Sequence, residues 1–302
     1  MIPKRVLITG GTGLIGSHLT QLLMASGVEV CHLSRKAKPG TVPAYAWDVR
    51  SGKIDHQALE ETDAIVHLAG AGIAEKPWTK ARKQEILESR TRSTALLYDA
   101  MRYRPHQVKT VVCASAIGYY GFGGDEEIFT EAHPAAKSFL ASVVRAWEAE
   151  ADKFQGLGIR LVKIRIGIVL SQQGGALKEM AKPVRWGLGA PLAGGNQYMS
   201  WIHITDLCRM FKYALENDAL QGVYNGVSPN PVTNKAFTRA VAAALNKKIW
   251  LPPVPQLVLR LLLGEMADLV VKGSRVSADR ILQAGFRFEF ADLQQAVNNL
   301  LR

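Results

Sequence analysis

The chain has 302 residues, 48% of them hydrophobic, enough for one large domain or a main domain with a small lobe. Its formal net charge is +11 and its pI about 9.6. The lysines and arginines are scattered rather than blocked, so this balance points to solubility and a polyanionic small-molecule cofactor, not to nucleic acid. Three cysteines, Cys31, Cys113 and Cys208, lie far apart in apolar runs. That pattern excludes a disulfide framework and a zinc site, and fits reduced thiols in a cytoplasmic compartment. No metal is expected. The chain enters a strand almost at once, so no signal peptide is expected. The most apolar stretch, 249–271, is broken by prolines, Arg260, Glu265 and Asp268, so no membrane insertion is expected.

Val6-Leu7-Ile8-Thr9 is a β-branched run that leads into Gly10, Gly13 and Gly16, and then into Leu19, Leu22 and Leu23 at helical spacing. Strand, tight turn and helix in that order are the context in which a glycine triplet binds a dinucleotide. Gly10 lets the chain turn sharply. Gly13 removes a Cβ where a pyrophosphate approaches the backbone, and Gly16 lets the helix pack close to the strand. The helix start, with Thr12, Leu14 and Ile15, offers free N–H groups and partial positive charge to phosphates. The second strand, Val28 to Leu33, ends in Ser34-Arg35-Lys36. A carboxylate here would accept from a ribose 2′-hydroxyl and repel a 2′-phosphate. Ser34 and Arg35 therefore argue for NADP(H) over NAD.

After a turn at Pro39-Gly40, Ala44 to Asp48 is a short third strand. Asp48 either reaches the adenine side of the cofactor or caps a turn. Ala64 to His67, continuing into Leu68-Ala69-Gly70, is a buried parallel strand whose small residues at the end suit a cofactor lying across it. His67 is read as a satisfied strand histidine. Residues 79–102 form one long helix; Ile86, Leu87, Thr94, Leu97 and Met101 give its apolar face, and Glu85, Ser89 and Arg90 share another. Arg90 is either a solvated charge or a cofactor contact. Val108 to Cys113 is the next strand, and a helix follows from about Ser138 to Gln155. The strand Arg160 to Leu170 is expected to close the parallel set.

This alternation predicts an α/β fold: a doubly wound parallel Rossmann sheet with a small C-terminal α/β lobe. The Rossmann domain is placed at 1–170, with 200–228 returning to it. A smaller substrate-side lobe is placed at 171–302, including a C-terminal domain from about 249. His203 and Asp206 are read as a structural pair at a helix start. The leucine-rich stretch Leu257 to Val271 is read as core rather than as a partner surface.

The Thr9-to-Gly16 fingerprint, His67-Leu68-Ala69-Gly70 and Tyr120-Gly121 resemble the extended branch of the short-chain dehydrogenase/reductase superfamily. Trp78, Ser89-Arg90, Ser115 to Gly121, Trp147-Glu148, Gly174-Gly175-Ala176-Leu177 and Trp201 to Leu207 narrow the likeness. They are similar to the YfcH-like "epimerase family protein" subgroup of atypical members in the NAD-dependent epimerase/dehydratase superfamily. Pro252 to Pro255, Leu263-Gly264-Glu265, Arg275-Val276 and Ala284-Gly285-Phe286 resemble that subgroup's small C-terminal domain. The resemblance implies NADP(H) bound through the glycine turn, Ser34, Arg35, Leu68 and Ala69, with contacts from Glu85, Arg90 and the strand end near Val169. It implies an oxidoreductase or nucleotide-sugar epimerase acting on a nucleotide sugar or another carbonyl compound, and a homodimer paired through long helices.

One departure matters. Enzymes of that superfamily use a Tyr as acid/base, a Lys four residues later on the same helix face, and a Ser or Thr that orients the substrate oxygen. None of the eight tyrosines here is followed four places on by Lys, and the helix that should carry the pair, 139–148, has no Tyr. Aligning Tyr120-Gly121 with the superfamily's Tyr-Gly puts Ala116 where the hydroxyl belongs and Ser115 one place early. Two readings stay open. In one, Tyr119, Tyr120 and Ser115 substitute as acid/base groups, with Glu131, Lys137 and His203 as more distant candidates. In the other, the fold is a catalytically silent NADP-binding regulatory or interaction module.

Overall fold

A computed structural model describes residues 3–35, 41–124 and 127–302. The turn expected at Pro39-Gly40 lies outside the described residues. The first part of the chain alternates β1 (Arg5–Thr9), α1 (Leu14–Ala25), β2 (Glu29–Ser34), β3 (Ala44–Asp48), β4 (Lys53–Ile54), α2 (Gln57–Glu60), β5 (Ala64–His67), α3 (Lys80–Tyr103) and β6 (Thr110–Ala116). Then follow β7 (Ile128–Phe129), α4 (Phe139–Asp152), β8 (Arg160–Ile166), β9 (Ile168–Leu170), α5 (Gly175–Arg185), β10 (Tyr198–Met199), β11 (Trp201–His203), α6 (Ile204–Glu216), β12 (Gly222–Gly226), β13 (Val232–Thr233) and α7 (Asn234–Ala244). The chain ends with α8 (Gln256–Leu263), α9 (Asp268–Val271), β14 (Arg275–Val276), α10 (Asp279–Gln283) and α11 (Leu293–Leu301).

Eight strands form one sheet in the order β12-β8-β6-β5-β1-β2-β3-β4. All pairings are parallel except that of β4 on β3. The chain steps outward from β1 through β2 to β3, then crosses back to lay β5 on the other side of β1. The order therefore reverses between β1 and β5, and a crevice opens at the strand ends there. The side-chain period of two sorts the buried residues onto two faces. Val6, Ile8, Val66, Val112 and Ile164 belong to one core, which continues through α1, α5, α6 and α7 to Leu300 of α11. Leu7, Cys31, Ile65, Val111 and Leu161 belong to the other, under α3.

Three expectations are corrected. The parallel set is closed by β12, paired with β8, not by a continuous strand over 160–170. The strand is interrupted at Gly167, where the lack of a Cβ admits Ser200 O; a Cβ there would stand 2.4 Å from it. Past it, β9 leaves the sheet and pairs with β11. The strand expected at 108–113 lies over Thr110–Ala116, which carries Ser115 and Ala116 into the sheet. The leucine-rich stretch is not one core helix. It is α8, a short 3-10 turn and α9, with Leu259 buried and Leu257, Leu261 and Leu262 respectively 79%, 87% and 74% exposed.

The C-terminal segment is fastened to the sheet by α6. Asp206, fully buried, accepts from the backbone N–H groups of Glu289 and Phe290 at 2.8 Å each and pairs with Arg209 at 2.9 Å. His203 caps the start of α6, its Nδ1 accepting from Thr205 N. Both thus sit at the start of α6, where the sequence reading put them, and each is engaged with backbone N–H groups. Asp206→Ala would leave two N–H groups without an acceptor. It is expected to lower unfolding free energy by about 2–4 kcal/mol, and amide exchange should accelerate first in α11; unchanged exchange there would contradict this tether.

Candidate nucleotide and substrate site

The turn between β1 and α1 is built from close approaches that only glycine allows. Gly10 has φ +68° and sits against the backbone of Leu68 and Ala69, where a Cβ would stand 3.1 Å from Leu68 O. At Gly16 a Cβ would stand 2.3 Å from Gly10 O and 2.6 Å from Gly11 Cα. The close packing is thus of helix against turn rather than helix against strand. A Cβ at Gly13 would meet only Gly10 O, at 3.2 Å, so the front of the turn is open. Gly13 is also the N-cap of α1, and no side chain caps that helix. Its leading N–H groups are left to whatever lies in front of them. Gly11 is needed as well, because the His32 ring occupies the space of its Cβ; the spacing pattern carried no sign of this. The N-terminus of α5 lies alongside: Cβ atoms at Gly174 and Gly175 would touch Leu14, and Gly175 abuts the carbonyl of Val169.

The loop after β5 forms the other lip. Thr9 Oγ1 accepts from the N–H groups of both Leu68 and Ala69 at 3.1 Å and bonds His67 Nδ1 at 2.8 Å. His67 Nε2 lies 3.0 Å from Thr94 Oγ1, which itself donates to Arg90 O. The Thr94 hydroxyl proton is thus committed, so Nε2 is the donor of that pair and the hydrogen bonds assign the ring proton to it. Burial holds His67 neutral, at a pKa of about 3. On the far side, Ala71 N donates to Ser89 Oγ and Arg90 donates to Ala71 O, so α3 braces the loop. Gly70 gives room to the Arg90 guanidinium, which lies 5.2 Å from the Trp147 ring centroid. Burial, with Arg82 nearby, lowers its pKa to about 10.

The remaining expected contacts are placed less centrally. Arg35 is exposed just past β2, and Ser34 ends that strand. Asp48 accepts from Arg50 N and Ser51 Oγ at 2.9 and 2.8 Å, so it caps the β3–β4 turn. Glu85 is paired with Arg82 at 2.7 Å on an exposed face of α3; the hydrogen bond from Arg82 lowers its carboxyl pKa.

Between β6, β8 and α4 the chain builds a buried ion-pair network. Ser115 and Arg165 are direct partners across β6 and β8 and share one face of the sheet. Opposite them on α4 stands Glu148. It accepts from Arg165 Nε and Nη2 at 2.8 Å each and from Ser115 Oγ at 2.5 Å. Arg165 Nη1 donates to Tyr120 OH, which donates to Asn225 Oδ1 at 2.7 Å. The Arg165 guanidinium lies 3.4 Å from the Tyr119 ring centroid. Burial pushes the Glu148 carboxyl up, but the hydrogen bonds and charge of Arg165 outweigh it and hold the group below the ordinary carboxylate value. Burial pushes the Tyr120 phenol up to about 12. Ser115 and Tyr120 are 3% and 2% exposed. Of the distant candidates, Glu131 accepts from Asn225 N, and His203 is the α6 cap already described.

A cavity of about 520 Å3 opens over the ends of β6 and β8. Its floor is Ala116, Ile117, Ile166, Gly167 and Ile168. Its walls come from Ile73, Trp78, Arg90, the start of α4 and the segment 260–274. Ala116 is at the cavity, whereas Ser115, Tyr119 and Tyr120 are not among its lining residues. The alternation of a strand explains this: a residue one place early faces α4. Lys83 of α3 pairs with Glu265 and so ties the wall segment down. Sequence reasoning missed Phe139, Leu140, Arg260 and Lys272. One signal was present in the glycine of Lys272-Gly273: a Cβ at Gly273 would stand 2.3 Å from Tyr198 O.

The sequence profile described as "NAD dependent epimerase/dehydratase family" matches residues 6–225, and "Domain of unknown function (DUF1731)" matches residues 254–300. The chain belongs to the NAD-dependent epimerase/dehydratase family. Within that family it is 35% identical over 298 residues to "Epimerase family protein YfhF" of Bacillus subtilis (strain 168), covering 98% of this chain and 97% of that protein. The crystal structure of human epimerase family protein SDR39U1 (isoform 2) with NADPH matches at a TM-score of 0.89 and 36% identity, over 98% of this chain and 99% of that one. The UDP-glucose 4-epimerase of Thermus thermophilus, in complex with NAD, shares the fold at a TM-score of 0.75 and 24% identity, over 98% and 97% of the two chains.

Glu148→Gln is expected to cost about 3–5 kcal/mol of stability at pH 7, because Arg165 is left buried without its full partner. The folded Glu148 value lies below the unfolded one. Its contribution is therefore present above the ordinary range, about pH 4.3, and is lost as the pH falls through the lower folded value. Denaturant titrations should show the gap between wild type and variant closing on acidification. A gap of constant size would contradict the assignment.

Proposed function

We propose that the chain binds NADP(H) across the β1–β5 switch point. On this reading it acts on a small molecule in the adjoining cavity, as an oxidoreductase or epimerase without the usual Tyr-x-x-x-Lys pair. The observation that carries the reading is the open glycine turn under an uncapped α1, with Arg35 in place of a carboxylate after β2. The N–H groups of Leu14, Ile15 and Gly16 suit a diphosphate, and Arg35 with Ser34 suits a 2′-phosphate. The NADPH carried by human SDR39U1 supports this choice of cofactor. The residues present fit such a group, because Gly13 puts no side chain in front of the turn and no side chain caps the N–H groups of α1.

When bound, the nicotinamide supplies hydride transfer to or from a carbon of the substrate. The chain's own part is to hold and shield the reacting pair. Ala116, Ile117 and Ile168 give an apolar floor that excludes water. Arg90, fixed by Ala71 O and Ile86 O, keeps the loop at Leu68 and Ala69 in place. Ser115 and Tyr120 act as positioning groups that hold Glu148 and Arg165 under the end of β6. Tyr119, with its ring against Arg165, is retained as the candidate for proton transfer.

The burial of Ser115 and Tyr120 away from the cavity favours a second reading, the catalytically silent NADP-binding module. One measurement tests the cofactor and a second separates the two readings. Calorimetric titration is expected to show NADPH binding about tenfold or more tightly than NADH, with Arg35→Asp erasing the difference; equal affinities in the wild type would count against the reading. Turnover of NADPH with a carbonyl or nucleotide sugar, lost in Tyr119→Phe, supports the enzyme. Binding of NADPH without turnover across such a panel selects the module.

A further inference from the structure

The cavity's polar groups are nearly all committed within the protein. Trp78 Nε1 donates to Ile73 O, and Ser138 Oγ accepts from Ala141 N at the start of α4. Ser200 Oγ donates to Ser274 O and accepts from Val276 N, and Nη1 of Arg90 donates to the carbonyls of Ala71 and Ile86. Glu265 is paired with Lys83, and Asp268 with Lys272 and Arg260. Among the described residues, Tyr198 and Ser274 are the wall hydroxyls left without a hydrogen bond. A sugar ring placed here would lose water from several hydroxyls and find few partners. What the chamber does offer is apolar surface from Ile73, Trp78, Phe139, Leu140, Val143 and Leu269.

The chamber opens into a second, adjoining hollow of about 590 Å3, which shares Phe122, Ser138, Tyr198, Lys272 and Gly273 with it. This one is cationic. Lys137, Lys272 and Arg275 line it, and none of its described lining residues is a carboxylate. Lys272 is paired with Asp268, and its ammonium lies 5.5 Å from the Phe122 ring centroid. Arg275 lies 5.3 Å from the centroid of the Tyr198 ring. Among the described residues, neither Arg275 nor the exposed Lys137 has a carboxylate partner.

We propose that the paired hollows take an elongated small molecule with an apolar body and a terminal anionic group. The body lies between Trp78, Phe139, Leu140 and Val143, and the carboxylate or phosphate lies at Lys137 and Arg275. This rests on the reading of the cavity as the substrate site, and it names a substrate class distinct from nucleotide sugars. Charge-assisted hydrogen bonds to two cations that have no carboxylate partner among the described residues supply the preference for an anion, and burial of the apolar body supplies the rest.

The test is calorimetric titration of the full chain, with and without saturating NADP+, using octanoate, octyl phosphate, 1-octanol and UDP-glucose as probes. At least one of the two anions is expected to bind about tenfold more tightly than 1-octanol, and the tighter of the two identifies the acid group. Lys137→Ala with Arg275→Ala should erase that advantage and leave 1-octanol unchanged. Leu140→Trp should block all three apolar probes. Tighter binding of UDP-glucose, or an anion advantage that survives the double variant, overturns the proposal. Anion binding in a chain that takes up no NADP+ would sink the cofactor reading while leaving this one standing; NADP+ binding without anion binding would do the reverse.

Discussion

The distance between the first turn of α1 and the carbonyl of Gly10 is the constraint on which the site depends. The turn can be this tight because Gly16 has no Cβ, which would otherwise overlap Gly10 O at 2.3 Å. Gly10 in turn occupies φ +68° so that it can lie against the backbone of Leu68 and Ala69. These two contacts bring the start of α1 and the end of β5 to the same crevice. Thr9 then completes the arrangement by fixing the amides of Leu68 and Ala69 with its hydroxyl. Through His67, Thr94 and Arg90 the same chain of hydrogen bonds reaches α3. The crevice is thus held open from both sides by groups that are themselves satisfied, which is the condition for a preorganised site.

A second constraint lies one strand further on. The helix packed against β6, α4, contributes Glu148. The carboxylate meets Arg165 in a two-point contact under the cavity floor. Buried ion pairs of this kind add little net stability compared with an apolar core, but removing one partner is costly. The network therefore fixes the position of β6, β8 and α4 relative to one another rather than supplying chemistry at their surface. It also explains the placement of Tyr120, which is buried beside the guanidinium with its hydroxyl committed to Arg165 and Asn225.

Much of the architecture was legible because the central strands are apolar runs buried on both faces, separated by turns and helical stretches. Gly10, Gly13 and Gly16 declared the first βα turn by their spacing, and the absent Tyr-x-x-x-Lys pair could be read by inspection. What was not legible depended on which strand a segment pairs with. Gly167 looked like an ordinary residue of a long strand, and only the pairings on either side of it show that one sheet ends there and another begins. The leucines of α8 were read as core because apolar spacing records amphipathicity, not whether a neighbour exists to cover the face; Leu257, Leu261 and Leu262 face outward. The cavity walls were hidden for a similar reason. Trp78 was read as core or pocket wall, but Phe139 and Leu269 are far apart in sequence and share a cavity only because 260–274 folds over the end of β6.

The central claim is that the glycine turn and the loop after β5 together receive the diphosphate of a dinucleotide. Hydrogen–deuterium exchange of the nucleotide-free chain, with and without NADPH, tests it most directly. The account predicts slowed exchange at the amides of residues 11–17 and 68–71. Unchanged exchange in those two segments at saturating NADPH, with or without protection elsewhere, would contradict it.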